Sequence, residues 1–153
     1  MSSRRKGRIL AFQALYFWES NRSLESLPPV PIEDIVNFAW LEEKKLSSLD
    51  EGIAAFSRLL ITGAVENINA IDRMIKDHLE NWDICRLGRV DLAVLRMSVY
   101  SLMFQDDISP SIVIDEAIGI CREFGADDSY KFINGVLDSV KKSLQKKPEK
   151  KAT

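Results

Sequence analysis

Apolar residues return every three or four positions along most of the chain, the spacing that gives a helix one buried face. Arg4 to Asn21 reads as a first helix, with Ile9, Phe12 and Tyr16 as its apolar stripe. Ile32 to Lys45 reads as a second, with Ile32, Ile35, Val36, Ala39 and Trp40 inward, acids at its start and lysines at its end, as the helix dipole prefers. The longest periodic segment runs from Glu51 to Leu79 through Ile53, Phe56, Leu60, Gly63, Asn67, Ile71, Met74 and His78. It predicts one central helix, in which Gly63 allows a close approach by a neighbour. Val90 to Phe104 is apolar on a broad face, and Ile114, Ala117, Ile118, Cys121 and Phe124 give a further helix its stripe. A last helix buries Ile133, Val136, Leu137, Val140 and Leu144. Pro28, Pro29 and Pro31, then Leu46 to Asp50, then Asn81 to Gly88 with a buried Trp82, separate these segments. The one rival is a hairpin turn at Asn134-Gly135. Strict alternation fails there while the helical period continues, so the chain reads as all-α.

Composition bounds this picture without changing it. A chain of 153 residues, 46% hydrophobic and 29% charged, suits one globular domain. No apolar run approaches the roughly 18 residues of a membrane span, and no secretory signal is expected at the start. Cys85 and Cys121 stand far apart and read as small core residues of a cytoplasmic protein. Charge does change the picture. The formal net charge is −2, yet residues 1–8 carry +4 and residues 141–153 carry +5, leaving −11 on residues 9–140. Basic ends on an acidic body suggest a polyanion at one place and a basic partner at another. Arg4, Arg5 and Arg8 would share a helix face and repel each other, at the end where the dipole disfavours cations. The expected organisation is therefore a single domain over 1–140, with a basic arm at 1–8. The end of the last helix and a Lys-rich flexible tail occupy 141–153.

Between the last two helices lies a signposted corner. Gly125 is placed for a left-handed C-terminal residue, and Asp127, Asp128 and Ser129 are candidate N-caps. Helical steps put Phe132 roughly 100° from the centre of the buried stripe, and Lys131 nearly opposite it. A rim aromatic beside a lysine can stack on an unpaired base while the lysine meets a phosphate. Packing against a neighbouring helix, with Lys131 merely solvated, fits the same spacing. Catalytic chemistry has little to stand on. His78 is the only histidine and reads as a core residue, so no zinc site is expected. No nucleotide-binding or nucleophile-elbow motif occurs. Asp106-Asp107 and Asp127-Asp128 read as helix boundaries and caps. Neither an enzyme nor a cofactor is expected.

The motifs carry a resemblance along nearly the whole chain. R-R-K-G-R and F-Q-A-L-Y at 4–16, N-W at 81–82, V-D-L-A-V-L-R-M-S-V-Y at 90–100, and I-x-E-A-I followed by F-G-A-D-D-S-Y-K-F-I-N-G-V-L-D up to Asp138 are similar to the bacterial transcription antitermination factor NusB (N-utilization substance protein B) family. The resemblance implies an all-helical fold of about seven helices in two small, roughly perpendicular bundles. It implies a non-catalytic factor that binds single-stranded boxA-type RNA together with the small-subunit ribosomal protein NusE. That pair would join the RNA polymerase antitermination complex in ribosomal RNA operons, with no membrane involved. By matching positions, Arg4, Arg5, Arg8, Lys131 and Phe132 would contact RNA, while Tyr16 and Asp128 would support function or structure. Family members occur as monomers or as homodimers with the arm masked. Asp115 stands where the family commonly has Asn, Ser101 where it often has Glu, and Lys6 and Gly7 dilute the arginine run. The module also occurs fused to an RNA methyltransferase domain, but at this length a stand-alone factor is expected. The alternative function is a helical protein–protein scaffold without sequence-specific RNA binding.

Overall fold

Ten consecutive residues, Leu92 to Ser101, are buried without a break, and a helix buried on all sides must be the one others pack around. That helix is α6 (Arg89–Phe104) of a computed structural model describing residues 2–22, 24, 28–80 and 83–152, with side chains to Lys146. Helix α1 (Ser3–Arg22) packs between α6 and α4 (Glu51–Glu66). On its other flank α6 meets α5 (Ile68–Asp77), α7 (Pro110–Phe124) and α8 (Ser129–Ala152). The short α2 (Ile32–Val36) leans on α1 and α4, and α3 (Glu43–Ser47) buries nothing. The described residues thus form helices and connecting turns with no strand among them, with α1, α2 and α4 as one group and α5 to α8 as the other. A single apolar core runs through both.

Two expected helices are broken, each for a visible reason. The segment 32–45 is α2 and α3, because Phe38 adopts a left-handed φ of 58°. Ala39 N–H donates to the Asp34 carbonyl at 3.0 Å and Phe38 N–H to that of Ile35 at 3.2 Å, the pairing that ends a helix in a Schellman turn. The strained residue is held because the Phe38 ring is fully buried. Trp40 Nε1 also donates to the Ile35 carbonyl (3.0 Å), and Arg58 Nε to that of Val36 (3.0 Å). Of the expected inward residues only Ile35 is buried, while Ile32 and Ala39 are exposed. The long segment 51–79 likewise bends at Asn67, whose backbone N–H and Nδ2 both take the Gly63 carbonyl, at 3.2 and 2.8 Å. The bend re-phases the stripe, so α5 buries Ile71 and Ile75 rather than Met74 and His78.

Gly63 does allow a close approach. A Cβ there would stand 2.2 Å from the Tyr100 ring of α6, well inside van der Waals contact. Gly7 serves the α1–α4 contact in the same way, against the Phe56 ring at 2.6 Å, so it is a packing requirement rather than a dilution of the basic run. The buried stripe of α1 is Gly7, Arg8, Ala11, Phe12, Ala14 and Leu15, rotated from the expected Ile9–Phe12–Tyr16, because α1 is covered from two sides. Across α1, α5 and α6, the buried Arg96 donates to both Asp72 carboxylate oxygens and to Glu19, each at 2.9 Å.

The corner also differs in detail. Gly125 is extended (φ −94°, ψ −179°), not left-handed, and its N–H reaches the Cys121 carbonyl at 2.8 Å. Glycine is still required, because a Cβ would lie 2.8 Å from that same carbonyl oxygen. The first turn of α8 uses the Ala126 and Asp128 carbonyls, while the Asp128 side chain turns to Lys131 at 3.7 Å. Cys121 is buried as expected, but Cys85 is exposed on the 3-10 turn Ile84–Arg86. The α8 backbone is helical through Ala152. The expected buried aromatic, Trp82, and Asn81 beside it lie outside the described residues.

Candidate nucleic-acid interface

Helix α1 starts at Ser3, and Ser2 Oγ accepts the Arg5 N–H at 3.1 Å, so the basic cluster stands on a capped helix rather than a free arm. Its arginines divide. Arg5 makes a short paired contact with the Glu116 carboxylate of α7. Arg8 lies beneath it, 5% exposed, with Nη1 3.6 Å from Glu116 Oε1. Burial lowers the Arg8 pKa; Glu116 opposes the shift, while Arg4 and Arg5 add to it. The Arg4 and Arg8 guanidinium groups lie 4.3 and 5.3 Å from the Phe56 ring centre, within cation–π range. Gly119 completes the seat, since a Cβ there would fall 2.6 Å from the Arg5 guanidinium. The self-repulsion expected of three arginines is therefore met by one acid, one aromatic and one glycine. Arg4 and Lys6 are exposed at the surface.

The second cluster surrounds Phe132. A groove of about 340 Å³ lies between the end of α5 (His78, Leu79, Glu80) and the α8 face carrying Lys131, Phe132, Gly135 and Ser139. On the other side of Phe132, a hollow of about 220 Å³ is lined by Arg86, Leu87, Gly88 and Asp91. Gly88 and Asp91 also line a third hollow with Tyr16, Phe124 and Ser129. The three hollows adjoin as a furrow: the half-buried Phe132 lines the first two, and Gly88 and Asp91 line the second and third. Helical phase placed Phe132 at the rim and Lys131 outside, and both stand there. Tyr16, expected on a buried stripe, is 40% exposed and lines the furrow. The Phe124 ring packs against that of Phe12 close by, tilted by 54° with the ring centres 5.2 Å apart. His78 is half-buried rather than core, with Nδ1 2.8 Å from the Met74 carbonyl oxygen.

The two clusters share their supporting helices. Arg5 and Tyr16 stand on α1 at a separation of roughly 16 Å, and α7 runs from the Arg5 seat at Glu116 and Gly119 to the furrow at Phe124. A few nucleotides could bridge that distance. Glu116, Gly119, Phe56, Gly88 and Asp91 were not singled out from the sequence. Glu116 and Gly119 carried a legible signal, a charge and a glycine inside an amphipathic helix; Phe56 was read only as core.

Asp91 sits half-buried, and burial raises its pKa, an effect the Ser129 hydroxyl (donating at 3.4 Å) opposes. A raised folded-state pKa means that the stabilising contribution is complete below the ordinary value of 3.8. It is lost as pH rises through the shifted value, and at neutral pH the buried charge is a cost. Asp91→Asn keeps an acceptor for Ser129 without the charge. It is expected to raise the urea midpoint at pH 7, with the advantage vanishing in acid. A variant no more stable than the parent at pH 7 would show that Asp91 is effectively solvated. The Cys121 thiol is pushed up to about 12, by burial first and Asp91 second, so it stays neutral and acts as core. Among the described residues, no three His, Cys, Asp or Glu side chains are grouped to hold a metal ion, and no helix is long and apolar enough to cross a membrane.

An all-helical body with seated arginines and an aromatic-walled furrow defines a binding protein. The family model described as "NusB family" matches residues 5–142, and the chain belongs to that family, whose members are transcription antitermination factors rather than enzymes. The sequence is 48% identical over 138 residues to the transcription antitermination protein NusB of Treponema denticola, covering 90% of this chain and 95% of that one. It is 41% identical over 145 residues to the NusB protein of Borreliella burgdorferi, covering 94% and 97%. Among solved structures, T. maritima NusB is similar with a TM-score of 0.77 at 37% identity, covering 91% of this chain and 90% of that one. The antitermination factors NusB and NusE in complex with dsRNA give a TM-score of 0.72 at 27% identity, covering 94% and 98%.

Proposed function

We propose that this protein is a transcription antitermination factor that binds single-stranded boxA-type RNA jointly with the ribosomal protein NusE. It acts in the RNA polymerase antitermination complex on ribosomal RNA operons, in the cytoplasm. The observation that carries this reading is Phe132, an aromatic wall between two grooves with a solvated Lys131 at its lip. An unpaired base stacks on such a ring irrespective of its identity, and hydrogen bonds in the groove select among bases. Arg4 and Arg5 reach phosphates, and Arg8, buried beneath them, holds their seat through Glu116 and Phe56. Tyr16 contributes a second ring to the furrow, and Asp128 positions Lys131. The acidic body, −11 over residues 9–140, suits docking of a basic ribosomal protein. A homodimer would cover the same arginines and hold the free protein in reserve. A protein–protein scaffold without RNA preference leaves the furrow and the seated arginines without a purpose.

The test is fluorescence-anisotropy binding of boxA-type RNA across a salt series with NusE present. Phe132→Ala is expected to weaken binding by about 1–3 kcal/mol with little change in salt dependence. Arg4→Ala with Arg5→Ala should instead flatten the slope of log K against log salt by about 0.7 per phosphate lost. A Phe132→Ala protein that melts earlier but binds RNA as before would remove the ring from the site.

A further inference from the structure

Ser101, which stands where the family often has Glu, is 2% exposed, and its hydroxyl donates to Gln105 Oε1 at 2.6 Å. That bond occupies the acceptor end of the Gln105 amide and fixes its orientation. Nε2 keeps both donors, and no acceptor among the described residues takes them. Gln105 lines a hollow of about 500 Å³ at the meeting of α1, α4 and the start of α7. Leu59 of α4 and Ile112 of α7 line it as well. At 52% and 53% they are the most exposed large apolar side chains among the described residues. Single exposed apolar residues need no explanation, but two from separate helices converging on one hollow mark a contact surface.

The hollow also has a charged side. Arg4 and Arg8 line it from α1, with their guanidinium groups 4.3 and 5.3 Å from the Phe56 ring centre. Arg8 is buried, makes no hydrogen bond among the described residues, and has Glu116 only at 3.6 Å. A guanidinium with donors to spare in such a place favours an anion nearby. Arg4 is exposed and pairs with no acid among the described residues. Asp107 and Glu116 balance the two arginines in the lining, so the hollow as a whole is neutral. It suits a ligand with one anionic end and a flat, uncharged body that carries a hydrogen-bond acceptor. A nucleotide within an RNA strand has that form. Ile112, Glu116 and Gly119 follow at helical spacing on one face of α7, so Ile112 lies one turn, about 6 Å, from the Arg5 seat.

We infer that this hollow is a nucleotide subsite at the end of the RNA track. One base lies against Leu59 and Ile112 with a carbonyl on Gln105 Nε2, and its phosphate meets Arg4. The subsite rests on the RNA reading proposed above. It extends that reading from the furrow and the arginines to a base recognised through Gln105, with Ser101 as its positioning residue. Unpaired bases are read in this manner, by packing of the ring and hydrogen bonds to its edge.

An abasic scan with the full chain and NusE provides the test, read by fluorescence anisotropy. The probe is a boxA-type RNA extended by three uridines at each end, with one base removed at a time and every phosphate kept. At one position, removal of the base is expected to weaken binding to the parent about fivefold, within the range of one hydrogen bond. Leu59→Gln with Ile112→Gln, both at exposed helical positions, should melt like the parent and bind the intact RNA about fivefold more weakly. That double variant should show no further loss at the sensitive position. Ser101→Ala, which releases the Gln105 amide, should shrink the loss at that position and at no other. The subsite is overturned if the double variant binds the intact RNA like the parent, or if every abasic position costs variant and parent alike. A double variant that changes only the sedimentation of the free protein would assign the two side chains to contact with a second copy, and overturns it likewise. If the parent binds none of the probes, the RNA reading itself falls, an outcome distinct from the absence of a sensitive position.

Discussion

Arg96→Ala is expected to lower the stability of the fold by about 3–5 kcal/mol, the largest loss from any single charged residue in this protein. Arg96 is 4% exposed, and its fork satisfies Asp72 through two parallel hydrogen bonds and Glu19 through a third. Trp18 lies 5.6 Å from its guanidinium. Removing it leaves two partly buried carboxylates facing one another across the junction of α1, α5 and α6. Burial alone would lower the Arg96 pKa, but the bonds from Asp72 and the charges of Asp72 and Glu19 outweigh it and raise it. The guanidinium therefore stays charged at any accessible pH. Urea unfolding at pH 7 measures the loss, and Arg96→Lys should recover only part of it, since an ammonium cannot make the parallel pair. A fully recovered Arg96→Lys protein would show that charge alone, not the fork, holds the junction.

Glu116→Gln is the second large effect, and it separates the architecture of the arginine seat from its use. The substitution leaves Arg8 buried with two cationic neighbours and no anion, a cost of about 1–3 kcal/mol for a charged group that loses its partner. Phosphate in the buffer, or RNA, should then restore stability more in the variant than in the parent, because a bound anion replaces the lost carboxylate and stabilises by linkage. Thermal melts in chloride and in phosphate at matched ionic strength give the comparison. Equal melting of variant and parent in chloride would mean that Glu116 is a solvated surface partner and that Phe56 alone seats the arginines.

The helices that were legible in the sequence are those whose burial pattern is simple. In α6 the apolar face is so broad that its place at the centre follows from the residues; α7 keeps its stripe through Ile114, Ala117 and Cys121 but leaves Phe124 exposed, and α8 keeps Ile133, Val136, Leu137 and Val140. The breaks at Phe38 and Asn67 were not legible, because neither position carries a glycine or proline. A left-handed phenylalanine is disfavoured by its own backbone and persists here because the pocket that buries its ring is assembled from other segments. At Asn67 the residue fits the helical stripe equally well, and only its hydrogen bonds to Gly63 reveal the bend. The stripe of α1 departs from the apolar pattern for a related cause. A helix covered on two sides buries small residues, Gly7, Ala11 and Ala14, that contribute little to a hydrophobic pattern.

By itself, then, the sequence determined that the chain is all-helical, which segments are amphipathic, where charge accumulates, and that Phe132 and Lys131 stand outside the buried stripe of the last helix. Those properties follow from the neighbours within a few residues along one helix, where a fixed period links position to direction. What only the tertiary structure decided is which groups meet. Glu116 lies 111 residues from Arg5 in the chain and Asp72 24 from Arg96, and the furrow joins α1, the turn before α6, and α8. Such pairings depend on how helices are laid against one another, which the periodicity of any one helix does not contain.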